Sequence, residues 1–315
     1  MSSRLATISA NPTLREYAQG AAQAAINPVA DFIAPTVPVA TSIGKYKIYS
    51  EKNRFHLPAT FRGIGGRATE LSFEVSDATY NCQPHALDYP VDHLEMLEQS
   101  GVENALQEGA TMIAEVAALA HEKSVIDKAV AAAGAGSAKT WTGGSPTDPV
   151  DDIDSAILDV IKAAKYGSLM NVGVLFGASA WRLFKNASSV RSKFVTGSTR
   201  ANNGAAVALP TEEDASRLFL GNPQVRTSYM VVDTAAEGVA ENISFLLDST
   251  VLVFARMENP TRRDPSFMKT FRLMGAYMVP GSYVREDGRV EVAKFDWSED
   301  VEVTNAAAVR RLNVS

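Results

Sequence analysis

Two stretches of alternating apolar and polar residues flank a glycine-rich segment, FRGIGGRATELSFEV, residues 61 to 75. Before it, Tyr46 and Ile48 alternate with Lys45, Lys47 and Tyr49, and Phe55 and Leu57 alternate with Arg54 and His56. After it, Leu71, Phe73 and Val75 alternate with Glu70, Ser72 and Glu74. A period of two gives each segment one apolar face, as a strand requires. The pattern predicts a long hairpin over residues 43–82. At about 3.3 Å per residue, the stretch from Lys45 to Leu57 reaches roughly 40 Å. A lone two-stranded ribbon is marginal in water, and a single subunit offers nothing that far out on which to bury it. The hairpin is therefore expected to lie on a second copy of the chain. Its expected contact residues are Tyr46, Ile48, Arg62, Gly63, Gly65, Gly66, Arg67, Leu71 and Phe73.

The same glycines invite a second reading, because Gly63, Gly65 and Ala68 satisfy the dinucleotide-binding pattern G-x-G-x-x-G/A. That chemistry needs a buried strand before the glycines and a helix after them, so that the helix N-terminus faces the pyrophosphate. Here Pro58 and charged residues precede the glycines and a strand pattern follows. The flanks fail on both sides, and no cofactor is expected.

Composition narrows the remaining choices. With 315 residues, 46% hydrophobic and 21% charged, the chain is long enough for one large or two smaller cores. No apolar run approaches the roughly 20 residues of a membrane-spanning helix, and no signal peptide is evident near Arg4 to Arg15. No membrane partner is expected, and synthesis is expected in the cytosol. Cys82 is the only cysteine, which excludes an intramolecular disulfide. A net charge of −6 argues against sequence-specific DNA binding.

Along the chain, residues 1–42 read as an extended N-terminal arm, because Pro28, Pro35 and Pro38 favour extended backbone. Asp92, with Glu95 three residues on, forms a capping box that starts a helix of about ten turns, roughly 60 Å, with breaks expected at Gly101 and Gly109. The stretch GAGSAKTWTGGSPTDP, residues 134–149, reads as a linker and domain boundary. Residues 150–255 then mix helices and strands. Ile153, Ile157, Val160 and Ile161 form one helical stripe, residues 172–176 a strand, and Thr211 caps a further helix ending at Gly221. A single strand is expected over residues 225–232, and short strands separated by turns after Met257. The fold class is α+β.

Three places in the sequence resemble parts of an enzymatic site. Gly177-Ala178-Ser179-Ala180-Trp181 follows a strand and opens a helix, as a nucleophile elbow does. Its last position should be small, and hydrolases of that fold place the histidine after the serine. Here His56, His85, His93 and His121 all precede Ser179, so Ser179 reads as a helix cap and Trp181 as core. Cys82 and His85 lie close together but supply neither a metal set nor a convincing catalytic pair, and read as a turn between hairpin and helix. The acidic clusters 151–154, 212–214 and 299–302 read as helix starts or solvated faces. No catalytic, cofactor or metal residue is assigned.

An arm, a projecting hairpin, a long helix, a central α+β region and returning strands occur in the order that characterises one family. The chain resembles the major capsid proteins of tailed phages, with the Hong Kong 97-type fold. The local likenesses are ELSFEVSDATYNCQPHALDYPVD (70–92), GASAWRLFKN (177–186) and RLFLGNPQV (217–225). The resemblance implies hexamers and pentamers tiling an icosahedral head around double-stranded DNA, assembled in the host cytoplasm and ending in the virion. It implies an N-terminal arm (1–42), an extended hairpin (43–82), a peripheral domain (83–149 and 256–315) and an axial domain (150–255). It further implies a portal and nonspecific contact with packaged DNA as partners, leaves open whether a separate scaffold protein acts or a scaffolding region lies outside this sequence, and leaves a decoration protein open as well. Nothing before Arg15 resembles the charged scaffolding segment of many relatives. An encapsulin nanocompartment is the alternative shell, and an oligomeric serine hydrolase the alternative outside shells.

Overall fold

Among the described residues the longest strand, near the C-terminus, organises one of the two large sheets. The computed structural model describes residues 29–49, 60–61, 64–67, 75–94, 102–142, 148–164, 172–193, 210–236, 238–257, 259–261, 264, 266–275 and 279–315. In chain order the elements begin with α1 (Ala30–Ile33), β1 (Thr36–Val39), β2 (Ile43–Tyr49), β3 (Val75–Asn81), β4 (Gln83–Asp92) and α2 (Val102–Ala133). The middle contains β5 (Ser137–Lys139), α3 (Pro149–Ala164), β6 (Val172–Gly177), α4 (Ala178–Asn186), α5 (Ser188–Lys193), α6 (Glu212–Leu218), β7 (Gln224–Ser228), β8 (Val231–Asp233), β9 (Ile243–Phe245) and β10 (Thr250–Ala255). The chain closes with β11 (Met268–Leu273), β12 (Val279–Val284), β13 (Val290–Val303) and β14 (Val309–Val314). The class is α+β, as the sequence predicts.

Strand β13 pairs with β4 along one edge and with β12 and then β11 along the other, and β1 joins β11 in parallel. Helix α2 lies across this sheet. Ala105, Leu106, Ala110, Ile113, Ala114 and Ala117 of α2 bury themselves against Val91, Ala293, Phe295 and Trp297. Its 32 residues span about 48 Å. Gly109 does not break the helix. A side chain there would meet the ring of Tyr89, 2.5 Å from the added carbon, so this glycine admits β4 close to the helix. At the other end of the capping region, Asp92 Oδ1 accepts the Leu94 amide at 2.8 Å.

The second five-stranded sheet runs β5-β14-β10-β6-β7. Both β6 and β10 are buried at every position, so they read as unbroken apolar runs rather than alternations. Ile153, Ile157 and Val160 of α3 pack here, as do Trp181 and Phe184 of α4 against Phe176. Gly177 joins β6 to α4 where an added Cβ would strike the backbone carbonyl of Asp248. Gly177→Ala is accordingly expected to cost about 3 kcal/mol, measured as a lowered midpoint in thermal or urea unfolding.

Four expectations are corrected. Residues 29–39 belong to the body rather than to a free arm: Val29, Ala30, Phe32 and Ile33 are buried, and β1 pairs with β11. Pro38 is tolerated because β1 is an edge strand, where a missing N–H costs no ladder bond. Glu122, buried in α2, fastens this segment by accepting the amides of Val29 (3.1 Å) and Ala30 (2.7 Å). Residues 1–28 lie outside the described residues. The stretch read as a linker is anchored as well. β5 pairs in parallel with β14, and Asp152 accepts Lys139 Nζ at 2.6 Å and the Trp141 indole at 3.0 Å. Finally, β14 joins β10 rather than the other C-terminal strands, so residues 309–314 fold with 150–255. The single strand expected over 225–232 is two, β7 and β8, in different sheets.

Candidate functional site

The hairpin exists where the sequence places its base. β2 and β3 pair antiparallel, from Ile43 opposite Asn81 to Tyr49 opposite Val75. Its root is an aromatic stack. The Phe271 ring of β11 lies 4.6 Å from that of Tyr80 and 5.3 Å from that of Tyr46, and all three are buried with Val37, Val39 and Cys82. Offset aromatic pairs of this kind add to the burial of their large apolar area. Tyr46 therefore serves the chain's own core, which corrects its assignment as a contact with another copy. Ile48 is in β2 by its backbone. Arg62, Gly63, Leu71 and Phe73 lie outside the described residues. Gly65, Gly66 and Arg67 are exposed, Gly65 with a φ of +85°, and beside them Phe61 and Ile64 are fully solvent-facing apolar side chains.

Beneath the root, β13 presents a run of carboxylates. Glu299 Oε1 accepts His121 Nδ1 of α2 at 2.8 Å, and its Oε2 accepts Arg272 Nε of β11 at 3.1 Å. Burial opposes ionisation of Glu299, but the hydrogen bond and charge of His121 and the guanidinium of Arg272 outweigh it and pull the carboxyl down to about 2. Asp300 Oδ2 accepts the Asn81 amide at the end of β3, at 2.7 Å. The Tyr46 hydroxyl faces the same acids, and its pKa is pushed up to about 12 by burial and by the charges of Glu302 and Asp300. One cluster thus ties α2, β11 and the hairpin root to β13. A cleft of about 210 Å³ opens beside it, lined by His85, His121, Lys128, Trp297 and Asp300 among others.

Reading 299–302 as a solvated acidic face misses this cluster. The available signal was alternation: Val301 and Val303 interleave with the acids, as in a strand with one buried face.

The enzymatic candidates do not assemble. Ser179 is inside α4, whose N-cap is Gly177 without a side-chain cap bond, so it is not the cap the sequence suggests. Among the described residues no histidine hydrogen-bonds to it, and His121 is engaged with Glu299. Trp181 is core, 4% exposed and stacked 5.5 Å from Phe184. The Cys82 thiol donates to the Phe271 carbonyl at 3.5 Å and is pushed up in pKa by burial and by Asp300 and Glu299, the reverse of what a nucleophile needs. His85 stacks instead on Trp297, 5.1 Å between centroids. Among the described residues no three His, Cys, Asp or Glu side chains gather as a metal ion requires. The supposed turn after Cys82 is the ten-residue strand β4. Thr211 does cap α6, in a reciprocal box with Asp214.

No protein-family model matches the chain, and no curated protein matches it in sequence. Likeness in three dimensions covers nearly all of it. A phage-related protein from Bordetella bronchiseptica, 18% identical, superposes with a TM-score of 0.69 over 96% of this chain and 97% of its own. A chain of the mature capsid of bacteriophage PhiM1, 11% identical, does so at 0.57 over 92% of this chain and 88% of its own. The chain has the Hong Kong 97-type capsid fold. The holo-encapsulin complex from Synechococcus elongatus shares that capsid fold, at TM-score 0.55 and 11% identity over 92% of this chain and 88% of its own. Within the capsid fold of this chain, the aromatic stack and the carboxylate cluster hold the base of the β2–β3 hairpin.

Proposed function

We propose that this chain is the major capsid protein of a tailed phage, a non-enzymatic subunit that packs as hexamers and pentamers into a shell around double-stranded DNA. The observation that carries the reading is a capsid fold over nearly the whole chain, with a hairpin rooted in the body and apolar Phe61 and Ile64 exposed to solvent. The β2–β3 pairing runs from Ile43 opposite Asn81 to Tyr49 opposite Val75, and FRGIGGR lies between the two strands in sequence.

In this reading Arg62, Gly63, Gly65, Gly66, Arg67, Leu71, Phe73 and Ile48 meet the neighbouring subunit, while Tyr46 holds the root. Residues 43–82 are the hairpin, the α2 sheet is the peripheral domain and the β6–β10 sheet the axial domain, to which β14 returns. Shells of many copies rely on distributed contacts, each weak and all multivalent. A portal, a separate scaffold and a decoration protein complete the assembly, and contact with packaged DNA is nonspecific.

Replacing Arg62 and Arg67 together with Glu tests the tip. Particle yield by sedimentation is expected to collapse while the unfolding midpoint of the free subunit stays within a degree or two, since surface charges contribute little to folding. Unchanged particle yield would sink the assignment. The encapsulin likeness supports a second reading, a nanocompartment shell. Particles purified from the native source that hold a protein cargo and no nucleic acid would favour it.

A further inference from the structure

Residues 160–211 contain seven lysines and arginines and no aspartate or glutamate. Elsewhere the chain is acidic: its other 263 residues hold 23 basic and 36 acidic side chains. The net charge of −6 therefore divides into +7 within this run and −13 outside it. Acids average about one in nine residues over the whole chain, so a run of 52 without any is a local shift in composition, in the direction that a polyanionic partner favours.

The fold gathers part of this charge on one surface. Helices α4 and α5 follow one another through Ala187, whose amide donates to the carbonyls of Leu183 and Phe184. Trp181, Phe184, Ala187 and Val190 recur every three residues and are buried, which fixes the inward side of both helices. Arg182, Lys185 and Arg191 each directly follow a member of that stripe; the two arginines are exposed and the lysine half-buried. Lys185 Nζ lies 5.6 Å from the centre of the Trp181 ring, which holds the ammonium against the helix surface. Asn186, Ser188 and Ser192 are exposed among these cations. Lys193 is paired with Asp148 at 2.8 Å, but among the described residues no carboxylate pairs with Arg182, Lys185 or Arg191. None of the exposed large apolar side chains belongs to α4 or α5. A protein partner needs such an apolar centre, whereas a sugar–phosphate backbone needs cations with hydroxyl and amide groups between them.

We propose that the outer face of α4 and α5, through Arg182, Lys185 and Arg191, binds the phosphate backbone of double-stranded DNA without regard to sequence, and that this is the face the subunit turns toward the packaged genome. The inference rests on the capsid reading for which polyanion the face meets, and it names the residues that meet it. Three cations spread along two short helices neutralise phosphates without reading a base edge. Each contact is weak, and many copies of the subunit add them up, so the DNA is held without being fixed in register.

The test is a salt titration of the full-length subunit against two duplexes of about 30 base pairs and unrelated sequence. Each neutralised phosphate steepens the fall of log binding constant with log salt by about 0.9. The wild type is expected to bind both duplexes equally, with a slope steeper by about 2.7 than that of the triple variant Arg182→Gln, Lys185→Gln, Arg191→Gln. The triple variant is expected to bind at least about tenfold more weakly at about 100 mM salt. Replacing both arginines with Lys keeps the charge and is expected to keep the slope. A control that removes the same charge elsewhere, with exposed Lys45, Arg285 and Arg289 each replaced by Gln, is expected to bind as the wild type does. Unfolding midpoints within a few degrees of one another separate loss of binding from loss of fold. A wild type that binds neither duplex, a triple variant that keeps the wild-type slope, or a control that weakens as much as the triple variant overturns the proposal. So does polyglutamate that displaces the duplex as well as unlabelled DNA does at equal charge, because the face would then suit an acidic protein. Particle formation by the wild type bears on the capsid reading and is scored separately by sedimentation, so either reading fails alone.

Discussion

Replacing Glu299 with Gln is expected to destabilise the fold by about 3 kcal/mol at neutral pH and to flatten the acid limb of its stability profile. The Glu299 carboxyl sits at about 2 against an ordinary 4.5, because His121 and Arg272 converge on it from α2 and β11. A depressed carboxyl contributes its stabilisation in full above the ordinary value and loses it as pH falls toward the depressed one. Wild-type stability in urea should therefore drop between about pH 4.5 and about pH 2, and most of that drop should vanish in Glu299→Gln. The loss at neutral pH arises because the variant leaves the Arg272 guanidinium, 13% exposed, without its counter-charge and removes the carboxylate that accepts from His121. An unchanged acid limb in the variant would place the stabilisation elsewhere.

Phe271→Ala should cost more, about 4 kcal/mol, and should cost it at the hairpin. The ring is fully buried and is shared by Tyr46 and Tyr80, so its removal opens a cavity under both strands of the root at once. Thermal unfolding measures the total. Limited proteolysis within 43–49 and 75–81 locates it, with cleavage expected to rise there before the β6–β10 sheet yields. A variant that unfolds earlier yet shows no preferential cleavage at the root would mean that Phe271 supports the body and not the ribbon.

These two residues also show where sequence reasoning stops. Period-two alternation located the ribbon, and helical spacing located α2 and α3, because each pattern records which face is buried. β4 escaped although Leu87, Tyr89 and Val91 alternate cleanly, since Pro84 and Pro90 argue against a strand. Both prolines are accommodated because β4 is paired on one side only, by β13, and edge status is a property of topology. The prolines of the N-terminal stretch misled in the same way: Pro38 sits in the edge strand β1, and a run read as an arm is core from Val29 onward. Within the stretch 134–149 that reads as a linker, residues 137–141 are anchored, because small polar residues mark turns and short edge strands alike. Trp141 anchors that stretch through Asp152, a contact between the linker and the helix after it.

The candidate site was legible in outline alone. The sequence marks the tip through its glycines and arginines, but the root depends on residues from three distant parts of the chain. Tyr46, Tyr80 and Phe271 meet only after β11 has been placed beside the hairpin. Likewise Glu299 looks like any surface acid until α2 brings His121 to within 2.8 Å of it. Isolated alternation told that Tyr46 needed an apolar partner and could not tell whose.

Electron microscopy of the purified full-length protein, alone and with a co-expressed scaffold, bears on the shell assignment itself. Closed icosahedral particles or ring-shaped hexamers and pentamers are the expected result, with the 61–67 tip of each subunit resting on its neighbour. Small discrete oligomers under both conditions, with that tip exposed to solvent, would contradict it.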